Sequence, residues 1–179
     1  MATATQIPTQ IPLSEYLRTS YEPDCEWIDG EIRERGMPDE YHSAIQFFFL
    51  QYFASMRREL GVRVRPELRL RVTPRRYRVP DVMLLPTSAP FQPVADTPPL
   101  LCIEVLSPDD RAGELQEKID DYEKMGVTAF WVINPRLRKA FMVDRGAMIP
   151  VEELTVAGTA IRIGIDEVFA ELDELEARV

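Results

Sequence analysis

The chain has 179 residues, of which 45% are hydrophobic and 28% are charged, and its formal net charge at pH 7 is −9. This composition is typical of a globular protein that is large enough to bury a sizeable core. The acidic charge argues against a protein held on nucleic acid mainly by bulk positive charge. No stretch approaches about 18 consecutive apolar residues, so neither a membrane span nor a membrane partner is expected.

Residues 1–12 carry neither a basic leader nor a long apolar segment, so we expect a flexible arm rather than a secretory signal. Residues 13–179 are expected to form one domain. Cys25 and Cys102 are too few for a disulfide framework, which predicts two reduced thiols and a cytoplasmic location. The sequence has no Cys/His cluster that would indicate a structural zinc site.

The N-terminal part of the predicted domain contains a short helix followed by a hairpin. Residues 13–21 have the composition of a short helix. Two β-type runs follow between residues 25 and 34, and the pair Asp29-Gly30 separates them. An Asp-Gly pair between two such runs is typical of a tight hairpin turn.

A longer helix is predicted next, beginning at Asp39 or Ser43 and ending near Gly61. Its apolar side chains recur at helical spacing. They are Ile45, Phe48, Phe49, Tyr52, Phe53 and Met56. We interpret the aromatic part of this stripe as protein core or dimer interface, and not as a platform for stacking bases.

Residues 62–72 alternate between apolar and charged side chains, which is the pattern of a half-buried strand. Pro66 interrupts the run and predicts an edge position or a bulge. The charged face contains Arg63, Arg65, Arg69 and Arg71. Two interpretations of this face remain open: a solvated surface balanced by neighbouring acids, or a surface that contacts DNA.

Two further strands are predicted on either side of a proline-rich loop. Residues 79–85 form the first strand and residues 86–99 form the loop. The second strand, residues 100–106, is almost wholly apolar, which is typical of a strand buried on both faces.

A helix and a buried strand are predicted to follow. Ser107 is interpreted as a helix cap, and the helix runs to about Met125, where Gly126 ends it. Residues 127–133 form the next apolar strand. Because a strand–helix–strand unit brings its two strands together side by side, we expect a parallel crossover over residues 100–133.

The C-terminal part is predicted to contain strands at residues 139–143, 149–151 and 160–163 and a helix at residues 165–177. The earlier strands are expected to pair in an antiparallel manner. The predicted fold class is therefore α/β (α+β), with a mixed central sheet that carries helices on both faces.

Two acids interrupt the apolar strands. Glu104 lies in the middle of the run 100–106, and Asp81 lies in the run 79–85. An ionised carboxylate in such a setting is destabilising by several kcal/mol unless a basic partner, a raised pKa or a metal ion compensates it. Two such acids on neighbouring strands predict a site for Mg²⁺ or Mn²⁺, which prefer oxygen ligands.

Lys118 is the third residue of interest. It shares one face of the predicted helix with Leu115, Ile119 and Tyr122, and that face should pack on the sheet. Its ammonium group could therefore reach Glu104, where it would orient a water molecule or stabilise charge on a phosphate.

Structural explanations for the same residues remain open. Glu104 could be neutral, or it could pair with a buried arginine from residues 63–71. Lys118 could be a surface lysine whose ammonium group extends into solvent. His42, the only histidine of the chain, lies in a first helical turn, where a structural role is common.

Several segments, taken together in their order, resemble one family. They are Trp27-Ile-Asp-Gly-Glu31, His42 at a helix start, Arg78-Val-Pro-Asp81-Val, Ile103-Glu-Val-Leu-Ser-Pro108, Lys118, Tyr122, Gly126-Val127 and Trp131. Over roughly residues 13–145 the chain resembles the PD-(D/E)XK nuclease superfamily, and within it the Uma-two family of restriction-endonuclease-like proteins.

This resemblance implies metal-dependent hydrolysis of DNA phosphodiester bonds. It implies that Asp81 and Glu104, with the backbone carbonyl of Val105, bind Mg²⁺ or Mn²⁺, and that Lys118 assists the reaction. It also makes His42 a candidate for phosphate contact or water positioning. A homodimer is expected, because two copies would allow both DNA strands to be cut.

One departure from the superfamily pattern leaves a second function open. The superfamily lysine stands two residues after the acid, where this chain has Leu106. In the Uma-two pattern the lysine lies on the following helix instead, which matches Lys118. The alternative is a catalytically decayed nuclease fold that acts as a binding module. An enzyme acting on a small phosphate ester lacks support, because the sequence has no glycine-rich phosphate loop.

Overall fold

A computed structural model describes residues 10–177, apart from the side chains of Glu171 and Leu175. Residues 1–9 of the predicted arm and residues 178–179 lie outside the described residues. Within the described range no helix combines the length and the hydropathy that a membrane span requires.

The helices are α1 (Leu13–Tyr16), α2 (Glu40–Met56), α3 (Ala112–Met125) and α4 (Ile165–Glu176). The strands are β1 (Glu26–Ile28), β2 (Glu31–Arg33), β3 (Val62–Pro66), β4 (Leu70–Thr73), β5 (Arg76–Arg78), β6 (Val82–Pro86), β7 (Leu101–Val105), β8 (Ala129–Asn134), β9 (Lys139–Asp144), β10 (Ala147–Val151), β11 (Glu153–Thr155) and β12 (Arg162–Gly164).

The main sheet has six strands in the order β10-β9-β8-β7-β6-β3. The pair β7–β8 is parallel, whereas β6 pairs with both β3 and β7 in an antiparallel manner. The predicted mixed sheet and its parallel strand–helix–strand unit are therefore confirmed. Since β7 has a partner on each side and all five of its residues are buried, its near-continuous apolar sequence is explained.

Helices cover both faces of the main sheet, as the sequence predicts. On one face α2 and α4 pack around Trp131, and that core includes Ile103 of β7. On the other face Ile119 and Tyr122 of α3 pack against Cys102 of β7. Because side chains alternate along a strand, Glu104 points to the same face as Cys102, toward α3.

The segment 62–72, predicted to be one strand, is two strands in different sheets. β3 is the edge strand of the main sheet, as Pro66 indicates, whereas β4 belongs to a four-stranded sheet with the order β2-β1-β5-β4. The chain turns at Glu67, whose φ angle of 47° lies in the left-handed region. The prediction was wrong because the alternation of apolar residues resumes in phase after this turn.

The helix boundaries differ from the prediction at three places, one of which is the end of α2, at Met56 rather than near Gly61. The first helix ends at Tyr16 rather than near residue 21. α3 begins at Ala112, and no side chain caps it. Ser107 is not its cap, because the Ser107 N–H donates to the carboxylate of Asp110 (2.6 Å) in a turn that precedes the helix.

Other turn predictions are confirmed. Asp29 and Gly30, with φ angles of 54° and 101°, join β1 to β2. Asp39 caps α2 by accepting the backbone N–H of His42 at 2.9 Å. Gly126 ends α3 in the left-handed conformation, with a φ angle of 85°.

Candidate active site

A cavity of about 960 Å³ lies where the six-stranded and the four-stranded sheets meet the first turns of α3. Its wall contains side chains from β1, α2, β5, β7 and α3. It includes four of the residues that the sequence singles out, namely His42, Asp81, Glu104 and Lys118. Val105, the fifth, also lines the cavity.

Asp81 immediately precedes β6, and its side chain is only 4% exposed. Oδ2 accepts the backbone N–H of Val105 at 2.7 Å and lies 3.2 Å from Nε2 of His42. Oδ1 accepts a hydrogen bond from the guanidinium of Arg35. Burial alone would raise the pKa of Asp81, but His42 and Arg35 outweigh it and hold the pKa below its ordinary value.

Glu104 lies in the neighbouring strand, and both of its oxygens have donors. Oε2 lies 2.7 Å from Nζ of Lys118, and Oε1 accepts the hydroxyl of Tyr122 at 2.7 Å. Burial raises the pKa of Glu104 to about 7, and the negative charges of Asp81 and Glu26 add to the effect of burial. The two carboxylates therefore differ: Asp81 stays ionised, and Glu104 titrates near neutrality.

Lys118 is directed into the site and not into solvent. Its ammonium lies between Glu104 and Glu26, at 2.7 Å and 3.5 Å, and its side chain is 17% exposed. Burial would lower the pKa of Lys118, but the surrounding carboxylates, Glu104 first, outweigh burial and raise it. The alternative partner for Glu104, an arginine from residues 63–71, is not the one that the structure shows.

His42 is brought to Asp81 rather than to the open part of the cavity. Its side chain is 5% exposed, and Asp39 at the start of α2 places it in the first helical turn. Burial would lower the pKa of His42, but the hydrogen bond and the charge of Asp81 raise it above its ordinary value. The imidazole is thus suited to holding Asp81 in place.

A buried ion network beneath the site was not predicted. Glu26 of β1 accepts the guanidinium of Arg78 at 2.6 Å and the backbone N–H of Val79 at 3.1 Å. Arg78 also donates through Nε to Asp121 of α3 at 2.8 Å. This network connects the four-stranded sheet, called the small sheet below, to the helix that carries Lys118. The sequence signals were a Glu beside the apolar pair Trp27-Ile28 and an Asp three residues after Lys118.

Arg35 was also missed, and the sequence offers no signal for it. It lies between β2 and α2 in a polar connection, where loop residues of every type are common. Only the folded chain brings its guanidinium to Asp81, with Glu67 at 3.7 Å on the other side.

The donor set fits a hard divalent cation. Two buried carboxylates, one immediately before β6 and one in β7, border one cavity, and the Glu104 carboxyl has a near-neutral pKa that a cation would lower. Over residues 10–177, no three His, Cys, Asp or Glu side chains are grouped for metal binding. Mg²⁺ needs no such cage, because it is commonly held by one or two carboxylates together with water and substrate phosphates.

The mixed sheet flanked by helices is a restriction-endonuclease-like fold. The chain belongs to the Uma2 (Uma-two) family, described as "Putative restriction endonuclease", whose model matches residues 13–161. The predicted family is therefore confirmed, and it supports nuclease activity in general terms.

A solved structure is similar to this chain over most of its length. It is a crystal structure of "a putative nuclease belonging to DUF820" from Anabaena variabilis ATCC 29413. The two share 25% sequence identity with a TM-score of 0.78, and the match covers 90% of this chain and 99% of the other. No curated protein matches this chain.

Proposed function

We propose that this protein is a metal-dependent endonuclease that hydrolyses phosphodiester bonds of DNA. The observation that carries the proposal is the pair of buried carboxylates, Asp81 and Glu104, at one cavity with the ammonium of Lys118 on Glu104. Such a concentration of buried ionisable groups is energetically costly, and it is typical of functional sites.

Asp81, Glu104 and the backbone carbonyl of Val105 are the proposed ligands of Mg²⁺ or Mn²⁺. When bound, such an ion polarises the phosphate and lowers the pKa of a coordinated water. The carboxylates supply oxygen donors of the type that both ions prefer.

Lys118 is proposed to act by its positive charge. Its raised pKa keeps the amine protonated at neutral pH, so it is unsuited to accept a proton from water. A fixed ammonium beside Glu104 instead stabilises the negative charge that develops on the phosphate during hydrolysis. The same ammonium is a donor that can orient the attacking water.

His42 is proposed as a positioning residue for Asp81, and Arg35 as the cation that pairs with Asp81 while no metal ion is bound. Their contacts with the two carboxylate oxygens restrict the rotation of the side chain and keep it ionised. The buried imidazole of His42 supports this role better than phosphate contact or water positioning, the two roles that the resemblance implies.

A homodimer, a cytoplasmic location and a single domain over residues 13–179 complete the proposal. Two copies would present two sites to the two strands of a duplex. Cys25 and Cys102 are both buried free thiols, in agreement with a reducing compartment. Light scattering at several protein concentrations would measure the oligomeric state.

A specific observation favours a second candidate, a binding module without catalysis. Each oxygen of Asp81 and Glu104 already has a protein donor, and Leu106 stands where the superfamily lysine is expected. In a binding module of this kind, the protein donors to Asp81 and Glu104 occupy the oxygens that would otherwise bind a metal ion.

Plasmid cleavage separates the two candidates. The wild type is compared with Asp81→Asn and Glu104→Gln in Mg²⁺, in Mn²⁺ and with a chelator. The control is Asp96→Asn, which removes the charge of an acid that pairs with Arg71 and does not line the cavity. Metal-dependent nicking that both site variants lose and the control retains supports the nuclease.

The absence of cleavage by the wild type in either metal would favour the binding module. Calorimetric titration of Mn²⁺ then tests whether the carboxylates still bind a cation.

A further inference from the structure

A groove of about 650 Å³ lies along the free edge of β3, beside the end of α2. Its lining includes four arginines and no acidic residue. They are Arg57, Arg58, Arg63 and Arg65. In a chain with a net charge of −9, such a concentration of positive charge is a local exception.

Among the described residues, the four arginines of this groove lack carboxylate partners. No described carboxylate lies within 4.0 Å of any of their guanidinium groups, although arginines elsewhere, such as Arg33 and Arg69, form ion pairs. Arg63 donates to the backbone carbonyls of Ala89 and Pro90, but its buried Nε has no acceptor within the described part of the chain. The groove thus holds positive charge that the described chain does not neutralise.

The groove and the cavity of the candidate site adjoin along β3. Arg65 lines the groove and Glu67 lines the cavity, with Pro66 between them. Arg65 pairs with Met83 of β6, which pairs with Cys102 of β7, so Arg65 and Glu104 share one face of the sheet. Two strand spacings separate β3 from β7, which is about 10 Å.

The cavity itself is poorly suited to hold a polyanion. Ten of its lining residues carry a carboxylate and five are Arg or Lys. A bound divalent cation would offset part of this negative charge only close to Asp81 and Glu104. A polyanion that crosses the cavity therefore needs a positively charged surface beside the cavity.

Local structural explanations exist for individual arginines of the groove, but none of them explains all four together. A basic residue after a helix C-terminus is favourable, which suits Arg57 and Arg58. Charged side chains on an edge strand prevent aggregation, which suits Arg63 and Arg65. Pairing of two copies through this edge would place the same positive patches against each other, which repulsion disfavours.

We propose that the groove along β3 binds the sugar–phosphate backbone of nucleic acid beside the site of cleavage. This inference rests on the proposed nuclease function, because the adjoining cavity identifies the polyanion as a nucleic acid. Backbone contacts of this kind fix the position of the duplex and are independent of base sequence.

The test is the binding of a short fluorescein-labelled DNA duplex, measured by anisotropy with a chelator and again with Ca²⁺. The double variant Arg58→Glu/Arg65→Glu is compared with the wild type. Its neutral counterpart, Arg58→Gln/Arg65→Gln, and thermal unfolding of each variant exclude misfolding. The matched control is Arg145→Glu, in the exposed turn between β9 and β10 near the opposite edge of the main sheet.

We expect the charge-reversed variant to bind the duplex at least about tenfold more weakly at low salt. The slope of log affinity against log salt should fall by about 0.9 for each phosphate that the variant no longer neutralises. Arg145→Glu should bind like the wild type.

Three other outcomes overturn the inference without deciding the catalytic question. Equal affinity and equal salt dependence in the wild type and the groove variants would show that DNA is held elsewhere. No binding of duplex DNA by the wild type, or a variant that changes oligomeric state and not DNA affinity, would also reject the groove. Conversely, a wild type that binds DNA through the groove but never cleaves it rejects the nuclease function and retains only the groove as a binding surface for the nucleic-acid backbone.

Discussion

The ammonium of Lys118 lies 2.7 Å from Oε2 of Glu104, although one residue belongs to a helix and the other to the strand beneath it. The same ammonium lies 3.5 Å from Glu26 in the small sheet. One cation therefore joins three elements at the wall of the cavity. The charge of Lys118, together with that of Arg78 at Glu26, permits the carboxylates of Glu104 and Glu26 to be buried near the same ammonium.

Replacement of Lys118 by Met should lower the cleavage rate by about 10²- to 10³-fold, because the transition state loses a fixed positive charge. Lys118→Arg should retain part of the activity, since it keeps the charge in a different geometry. The measurement is the single-turnover cleavage rate of a DNA duplex with saturating Mg²⁺.

The control for this prediction is Lys124→Met, in the exposed last turn of the same helix. If Lys118→Met cleaves as fast as this control, the ammonium has no part in the reaction and its role is structural.

Tyr122 should contribute to metal affinity through Glu104. Its hydroxyl is the only described donor to Oε1 of Glu104. Tyr122→Phe therefore leaves the Glu104 carboxylate free to rotate away from the proposed metal-binding position. We expect about tenfold weaker Mn²⁺ binding by calorimetry and a loss of about 1 kcal/mol in the free energy of unfolding. Tyr52→Phe removes a partly exposed hydroxyl and is the control. Identical Mn²⁺ affinities in the two variants would rule out the contribution of Tyr122.

Glu26 should stabilise the fold in a manner that depends on pH. Burial would raise its pKa, but Lys118 and Arg78 hold it below its ordinary value of 4.5. A depressed carboxyl pKa contributes stability that is fully present above the ordinary value and is lost as the pH falls through the folded-state value.

Glu26→Gln should therefore reduce the free energy of unfolding by about 3 kcal/mol at pH 7, with a smaller difference below pH 4.5. Urea unfolding at several pH values measures the effect. Glu31→Gln, in the paired strand β2, is the control. A difference that stays constant from neutral to acidic pH would contradict the assigned ion pairs.

Arg35 should compete with a metal ion for Asp81, because its guanidinium already occupies Oδ1. Arg35→Gln should bind Mn²⁺ several-fold more tightly than the wild type in the absence of DNA. The control is Arg33→Gln, which removes a neighbouring arginine that pairs with Glu117 and not with Asp81. Weaker Mn²⁺ binding in Arg35→Gln alone would show that the guanidinium supports the metal position instead of blocking it.

The sequence predicts the centre of the sheet well, because burial on both faces leaves a clear pattern. The apolar run 100–106 indicates β7, and the acid within it indicates Glu104. Helical spacing places Lys118 on the face that packs on the sheet, and the structure brings it to Glu104. These inferences depend on local periodicity, which tertiary contacts did not override.

The remainder of the site depends on contacts between distant parts of the chain. Arg35 reaches Asp81 across 46 positions, and Arg78 reaches Glu26 across 52. No local pattern of the sequence predicts pairings between residues so far apart. The same limit explains the error over residues 62–72, since alternation describes which side chains are apolar but not which sheet each half joins.

The parallel pairing of β7 with β8 has a consequence for synthesis of the chain. A ribosome releases Asp81 and Glu104 before Lys118, and releases Lys118 before β8, the strand that completes the pairing of β7. A nascent fragment that stops before residue 118 therefore carries both acids without their lysine. The ion pair between Lys118 and Glu104 can therefore form only after translation has passed the crossover from β7 to β8.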